Sequence, residues 1–284
     1  MDTRHFSQLP KAYLVYPKVI QGLIFKKPKV AQVLPQVEYV VDGFKIDLNH
    51  LKAYNLVCGY KQNGYIPATY LAVLAQSLQM QMMTSEPFPF ALLGLVHIRN
   101  QVKQYRKIGV NEKLTLSCQF GELRPHDKGV QFDFILSAKV ADELVFEGLT
   151  CYLSRQKTQA QNISKPKEEQ AADYVVNAVW SVAENTGRCY ALASGDFNLI
   201  HIHAVTAKAF GFKQAIAHGM WSKAKALASL DLPEAYEADV AFKLPMYLPS
   251  QVEFLTDIAP QHTQFLIRNQ QSQKPHVSGV LKTL

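Results

Sequence analysis

PATYLAVLAQSLQMQMM, Pro67 to Met83, offers almost no face polar enough to meet water. Pro67 suits the first turn of a helix, and the Ala, Leu, Gln and Met after it are good helix formers. A helix apolar nearly all round must be wrapped by other structure rather than laid on a surface. Four downstream segments can do the wrapping: LLGLVHIRNQVKQY, EKLTLSCQFGEL, GVQFDFILSAKVA and ELVFEGLTCYLSR read as long strands. One buried helix followed by about four antiparallel strands is an α+β layout.

The same pattern recurs toward the C-terminus. YVVNAVWSV (Tyr174 to Val182) reads as a strand and HGMWSKAKALASL (His218 to Leu230) as a helix. ADVAFKLPMYL, SQVEFLTDIA, HTQFLIRNQ and HVSGVLKTL then read as strands. Between the halves, RQKTQAQNISKPKEEQAA is polar, nearly free of large apolar residues and interrupted by Pro166, the composition of a linker. The expected organisation is therefore a first domain over 1–155, a linker over 156–172 and a second domain over 173–284.

Composition narrows the function classes. With 284 residues, 48% hydrophobic and 19% charged, the chain can bury a sizeable core in one large or two ordinary domains. No run approaches the roughly 20 apolar residues that span a bilayer. Pro10, Lys11, Pro17 and Lys18 break the apolar runs near the N-terminus, and no signal peptide is read there. A cytoplasmic protein is the expectation. The four cysteines, Cys58, Cys118, Cys151 and Cys189, are widely spaced with no C-x-x-C, which points to thiols rather than a disulfide or zinc framework. A formal charge of +7 favours anionic partners, phosphate-bearing small molecules among them. No basic run interleaved with aromatics supports nucleic-acid binding.

Chemistry concentrates in SGDFNLIHIH, Ser194 to His203. Asp196 and His201, five positions apart, can share a water as a general acid/base pair, or can belong to a loop tied down by its own hydrogen bonds. Ser194-Gly195-Asp196 is turn chemistry. Ala204 to Phe210 reads as a short helix stopped by Gly211. A loop then leads to His218-Gly219, where the unpaired N–H groups of a new helix are ready for an anion or an oxyanion. His218 reads as a residue that orders this start, and His203 as exposed or structural. Asp196, His201, His203 and His218 also have metal-ligand chemistry, but no H-x-x-x-H helix pair is present. DLNH, Asp47 to His50, echoes the motif without its S-G or a following H-G-M, and reads as coincidence.

In Tyr190, Leu192, Ser194, Gly195, Asp196, Asn198, Ile200 and His201, then Ala207, Gly211 and Phe212, then Ile216, His218, Gly219 and Met220, the chain resembles the MaoC-like, R-specific enoyl-CoA hydratase (hydratase 2) family. IPATYLAVLA, FPFALLGLVHIRNQV and LRPHDKGVQFD resemble the degenerate first half of its double-hot-dog members. The resemblance implies a double hot dog, two helices each wrapped by an antiparallel sheet, with one active site built mainly from the second half. It implies addition of water to a trans-2-enoyl thioester, giving the (R)-3-hydroxyacyl thioester, with Asp196 and His201 as catalytic residues. The Gly219 N–H would stabilise the thioester oxygen, with Ser194, Asn198 and His218 binding substrate or ordering the loop around it. No metal and no cofactor are implied beyond coenzyme A or acyl carrier protein as substrate carrier, and the acyl thioester is the expected partner, with a homodimer compatible. Rival readings on the same fold are an acyl-CoA-binding protein without chemistry and a thioesterase. One departure stands out: the family usually has proline after the asparagine, and Leu199 here leaves that backbone angle free.

Overall fold

The computed structural model describes residues 2–10, 33–84, 87–92, 94–156 and 173–284. The Pro67 run forms a 17-residue helix, α2 (Ala68–Thr84), after a shorter α1 (Leu48–Cys58). Two strands precede them, β1 (Asp2–Phe6) and β2 (Val37–Phe44), and four come after: β3 (Leu95–Gln104), β4 (Leu114–His126), β5 (Gly129–Val140) and β6 (Glu143–Arg155). The second half repeats the order. β7 (Val175–Val182) leads to α3 (Thr186–Ser194), a 3₁₀ turn (Leu199–His201), α4 (Ala204–Ala209) and α5 (Gly219–Ala228). Then come β8 (Tyr236–Phe242), β9 (Ser250–Ala259), β10 (His262–Asn269) and β11 (Pro275–Thr283).

The eleven strands among the described residues form one sheet, ordered β1-β2-β4-β5-β6-β3-β8-β11-β10-β9-β7. From either end inward the sequence of strands is the same. Leaving out β1, β2-β4-β5-β6-β3 in one half corresponds to β7-β9-β10-β11-β8 in the other, so the halves are pseudo-symmetric and meet where β3 pairs with β8. Every pairing is antiparallel except β1 with β2. The architecture is the expected α+β double hot dog, with α2 and α5 as the wrapped helices.

Burial explains the wrapping. Tyr70, Leu71, Val73, Ala75, Leu78 and Met82 of α2 are all buried, as are Trp221, Ala224 and Leu227 of α5. The seam is held by polar groups as well. Arg99 of β3 makes a bidentate ion pair with Asp239 of β8, at 2.9 and 2.7 Å. Beneath it the fully buried Lys223 of α5 donates to the Asn100 carbonyl, the Asn100 side chain and the Ala238 carbonyl. Burial drives Lys223 down to about 7, yet its three acceptors match the three donors of an ammonium, and that geometry favours the charged form.

The sequence reading left the stretch before Pro67 and the stretch between Val182 and Ser194 unassigned, and there the fold has β1, β2, α1 and α3. Asp47 of the DLNH echo is the N-cap of α1, its Oδ1 accepting from the N–H groups of Asn49 and His50, a structural role that fits the reading of the echo as coincidence. The linker reading falls on residues outside those described, apart from Gln156. Cys58, Cys118, Cys151 and Cys189 are all free thiols, and no helix among the described residues is long and apolar enough to cross a membrane.

Candidate active site

α3 ends at Gly195, whose left-handed backbone (φ 77°) lets its N–H close on the Ala191 carbonyl at 2.8 Å. The chain reverses there, and a ladder of short-range hydrogen bonds fixes Asp196 to His201. The Ser194 hydroxyl accepts from the Asp196 N–H (3.2 Å), and Asp196 Oδ1 accepts from the Asn198 N–H (3.2 Å). Asn198 caps the 3₁₀ turn, its carbonyl accepting from the His201 N–H at 3.0 Å. Leu199 lies at the head of that turn, its carbonyl accepting from the Thr206 hydroxyl at 2.7 Å. These bonds anchor the turn in the absence of the proline.

Gly187 sets where this turn sits. A Cβ there would lie 2.1 Å from the His201 carbonyl oxygen, so only glycine lets α3 approach the backbone of the motif so closely. His203 caps α4 with Nδ1, accepting from the Val205 N–H at 3.2 Å, and is exposed. It takes no part in the cluster that Asp196, His201 and His218 form.

Three of the expected residues meet. One nitrogen or oxygen of each of Asp196, His201 and His218 lies within 4.8 Å of the others. His201 Nδ1 donates to the Ile216 carbonyl at 2.8 Å. A carbonyl only accepts, so the proton of a neutral ring sits on Nδ1 and Nε2 is left as a base. The His218 ring, only 2% exposed, stacks on His201 with centroids 3.7 Å apart and donates from Nε2 to the Asp196 carbonyl at 3.0 Å. His218 is also the N-cap of α5, which puts the Gly219 N–H, first of the helix, beside this cluster. Phe242 packs on Gly219 so closely that a Cβ would lie 2.8 Å from its ring.

A fourth group comes from the other half. Gln76 of α2 donates from Nε2 to Asp196 Oδ2 at 3.0 Å. Sequence reasoning missed it, although polar residues in a helix otherwise apolar all round need partners, and that was the available signal. Beyond it a row of rings runs into the first half. Phe242 lies 4.7 Å from His97, His97 lies 5.1 Å from Tyr152, and Tyr152 lies 5.8 Å from Phe132. The first three are partly exposed and Phe132 is buried.

Electrostatics assigns the charges. Burial keeps the His201 ring below its ordinary 6.5, against the pull of Asp196 and the Ile216 carbonyl. His218 is pushed down to about 3 by burial and by His201. Burial alone would raise the Asp196 carboxyl, but the imidazoles, the Gln76 amide and the Asn198 N–H hold it low. With both ring values lowered, neutral pH favours one carboxylate and two neutral imidazoles, and the carboxylate then leans on the Gln76 amide and the Asn198 N–H rather than on ring charge. Hydrogen bonds to water are about 2.8 Å long, so acceptors up to roughly 5.6 Å apart can share one molecule, and a carboxylate oxygen of Asp196 with a ring nitrogen of His201 meets that condition. The same donors could gather on a divalent ion such as zinc, but ligation through His218 Nε2 would require breaking its bond to the Asp196 carbonyl.

Comparison with known proteins bears on this geometry. Residues 159–242 match the MaoC like domain family. The chain is 29% identical over 254 residues to the 3-hydroxyacyl-thioester dehydratase X of Mycobacterium tuberculosis, spanning 88% of this chain and 91% of that one. The crystal structure of HtdX from the same organism superposes with a TM-score of 0.77 at 28% identity, over 87% of this chain and all of the other. A MaoC-like dehydratase from Phytophthora capsici shares the fold, with a TM-score of 0.73 at 15% identity over 90% and 98% of the two chains.

Proposed function

We propose that this chain, which carries a MaoC-like domain and is homologous to a 3-hydroxyacyl-thioester dehydratase, adds water reversibly to trans-2-enoyl thioesters, giving (R)-3-hydroxyacyl thioesters. The observation that carries the reading is the pairing of an ionised Asp196 with a neutral His201, close enough to share one water beside the start of α5. In this reading His201 Nε2 takes one proton from the water as its oxygen bonds to C3. Asp196 accepts the water's other hydrogen, aims the oxygen and stabilises the imidazolium that forms. The electron pair of the C2–C3 double bond moves toward the thioester oxygen, where the Gly219 N–H and the helix start receive the charge. The imidazolium then delivers its proton to C2. Hydroxyl at C3 and hydrogen at C2 balance the water consumed, and the reverse path is the dehydration.

Coenzyme A or an acyl carrier protein supplies the thioester, with no cofactor. The acyl tail leaves the dyad along the half-exposed face of α2 that carries Gln76 and Met80, toward the ring row. Met80→Trp should therefore impair long-chain substrates more than crotonyl-CoA. The direct test of the activity is crotonyl-CoA, followed by enone absorbance and free thiol, with chiral analysis of the product. Loss of the enone without thiol, yielding the (R)-3-hydroxy product, is expected. Thiol release would make the protein a thioesterase, and binding with neither change would make it a binder.

A further inference from the structure

We infer that Gln76, from the first half of the chain, is a positioning residue for the Asp196 carboxylate, and that a buried polar network in the first half exists to present it. The inference rests on the proposed role of Asp196. Each oxygen of that carboxylate has a donor from a different half: Asn198 N–H on Oδ1 at 3.2 Å, Gln76 Nε2 on Oδ2 at 3.0 Å. Beside His218 Nε2, 4.0 Å from Oδ2, the Gln76 donor is the closer hold on that oxygen, and it limits rotation about the Cβ–Cγ bond and steadies the lone pairs aimed at the water.

Gln76 can do this only if α2 keeps its rotation, and the helix is keyed one turn further on. Gln79 donates to the Thr150 hydroxyl at 3.1 Å, Asn100 donates to the same oxygen at 3.1 Å, and Lys223 of α5 donates to Asn100. Gln79, Thr150, Asn100 and Lys223 are all buried, where an unmade hydrogen bond is costly, so the network tolerates little slippage. It starts on the helix that begins at Gly219 and ends on the helix that holds Asp196. The two ends of the site are thereby referenced to one another across the β3–β8 seam.

Three substitutions test this in the intact chain. Gln76→Leu removes the donor from a partly exposed position and should lower kcat roughly ten- to hundred-fold with KM within about two-fold. The Asp196 inflection of kcat, which lies below the fall set by His201, should also move to higher pH, because the amide helps hold the carboxyl low. Gln76→Glu keeps the shape and sets a second carboxyl against Asp196, so the pair should share a proton and carry that inflection up by about a unit or more. The other titratable groups acting on Asp196, namely His201, His218, His97, Tyr152 and Tyr190, are untouched in both variants. Thr150→Val, which breaks the keying, should lower kcat in the wild type and add nothing in the Gln76→Leu background. Wild-type kcat and pH profile in both Gln76 variants, with turnover still abolished by Asp196→Asn, would overturn this inference and leave the site assignment standing. Turnover by folded Asp196→Asn would overturn both.

Discussion

Gly187 lies outside the reacting groups, yet Gly187→Ala should cripple the enzyme, and the size of the effect is set by one distance. An added Cβ would lie 2.1 Å from the His201 carbonyl oxygen, where a comfortable carbon–oxygen contact is about 3.3 Å. Something must yield by roughly 1 Å. α3 is fixed at its far end by the Gly195 cap and packs its buried Tyr190 against His218, so the 3₁₀ turn gives way and takes His201 with it. The 2.8 Å bond from His201 Nδ1 to the Ile216 carbonyl then stretches beyond hydrogen-bonding range, and with it goes the tautomer that exposes Nε2. A displacement of this size costs about 10²-fold in rate. Overpacking costs a further ~1–3 kcal/mol of stability. Enone absorbance with crotonyl-CoA gives kcat, and urea unfolding followed by circular dichroism gives the stability. A folded Gly187→Ala enzyme with wild-type kcat would refute the claim that this glycine places the histidine.

Three further outcomes are expected. Leu199→Pro should keep or raise kcat and add about 0.4–1 kcal/mol of stability, since Asn198 already has the ψ of 125° that a following proline favours and the Leu199 N–H makes no hydrogen bond among the described residues; a loss above about 1 kcal/mol in urea unfolding would contradict this. Gly219→Ala should lower kcat, because Phe242 at 2.8 Å must shift, and Phe242→Leu in the same chain should restore most of it; failure of rescue would mean the N–H position does not depend on that contact. With neutral His201 as the proposed base, kcat should be flat through pH 7 and fall only below 6.5, and the buried His218 should make the fold acid-sensitive. Between 6.5 and about 3 the unfolded chain binds a proton that the folded ring refuses, so stability falls with pH by roughly 1.4 kcal/mol per unit for that group, and urea midpoints unchanged between pH 6.5 and 4.5 would contradict a buried neutral ring.

What the sequence disclosed and what it hid divide along physical lines. The α2 and α5 helices and the strands after each were legible because apolar periodicity is a local signal. The motif from Ser194 to Gly219 was legible because turn chemistry and helix caps are also local. α1 was hidden because LNHLKAYNLVC mixes polar and apolar residues and leaves Leu48 and Leu56 exposed, so no face stands out. α3 was hidden because TGRCYALAS is short and carries Gly187, a poor helix former kept for close approach to the turn. Gln76 meets Asp196 across 120 positions, and Phe242 meets Gly219 through sheet topology, distances that no local pattern encodes. The leucine at 199 in place of the family's proline was visible at once, but the bonds to Asn198 and Thr206 that anchor its turn were not, because they are three-dimensional.

Asp196 and His201 must act as one unit on a shared water if the proposed chemistry is right. The most direct measurement is a double-mutant cycle on crotonyl-CoA hydration with Asp196→Asn, His201→Ala and both together, each checked for folding by circular dichroism. Each single change should cut kcat by roughly 10²–10⁴, and the double mutant should be little worse than the poorer single. Near wild-type turnover by folded Asp196→Asn, or losses that multiply in the double mutant, would contradict it.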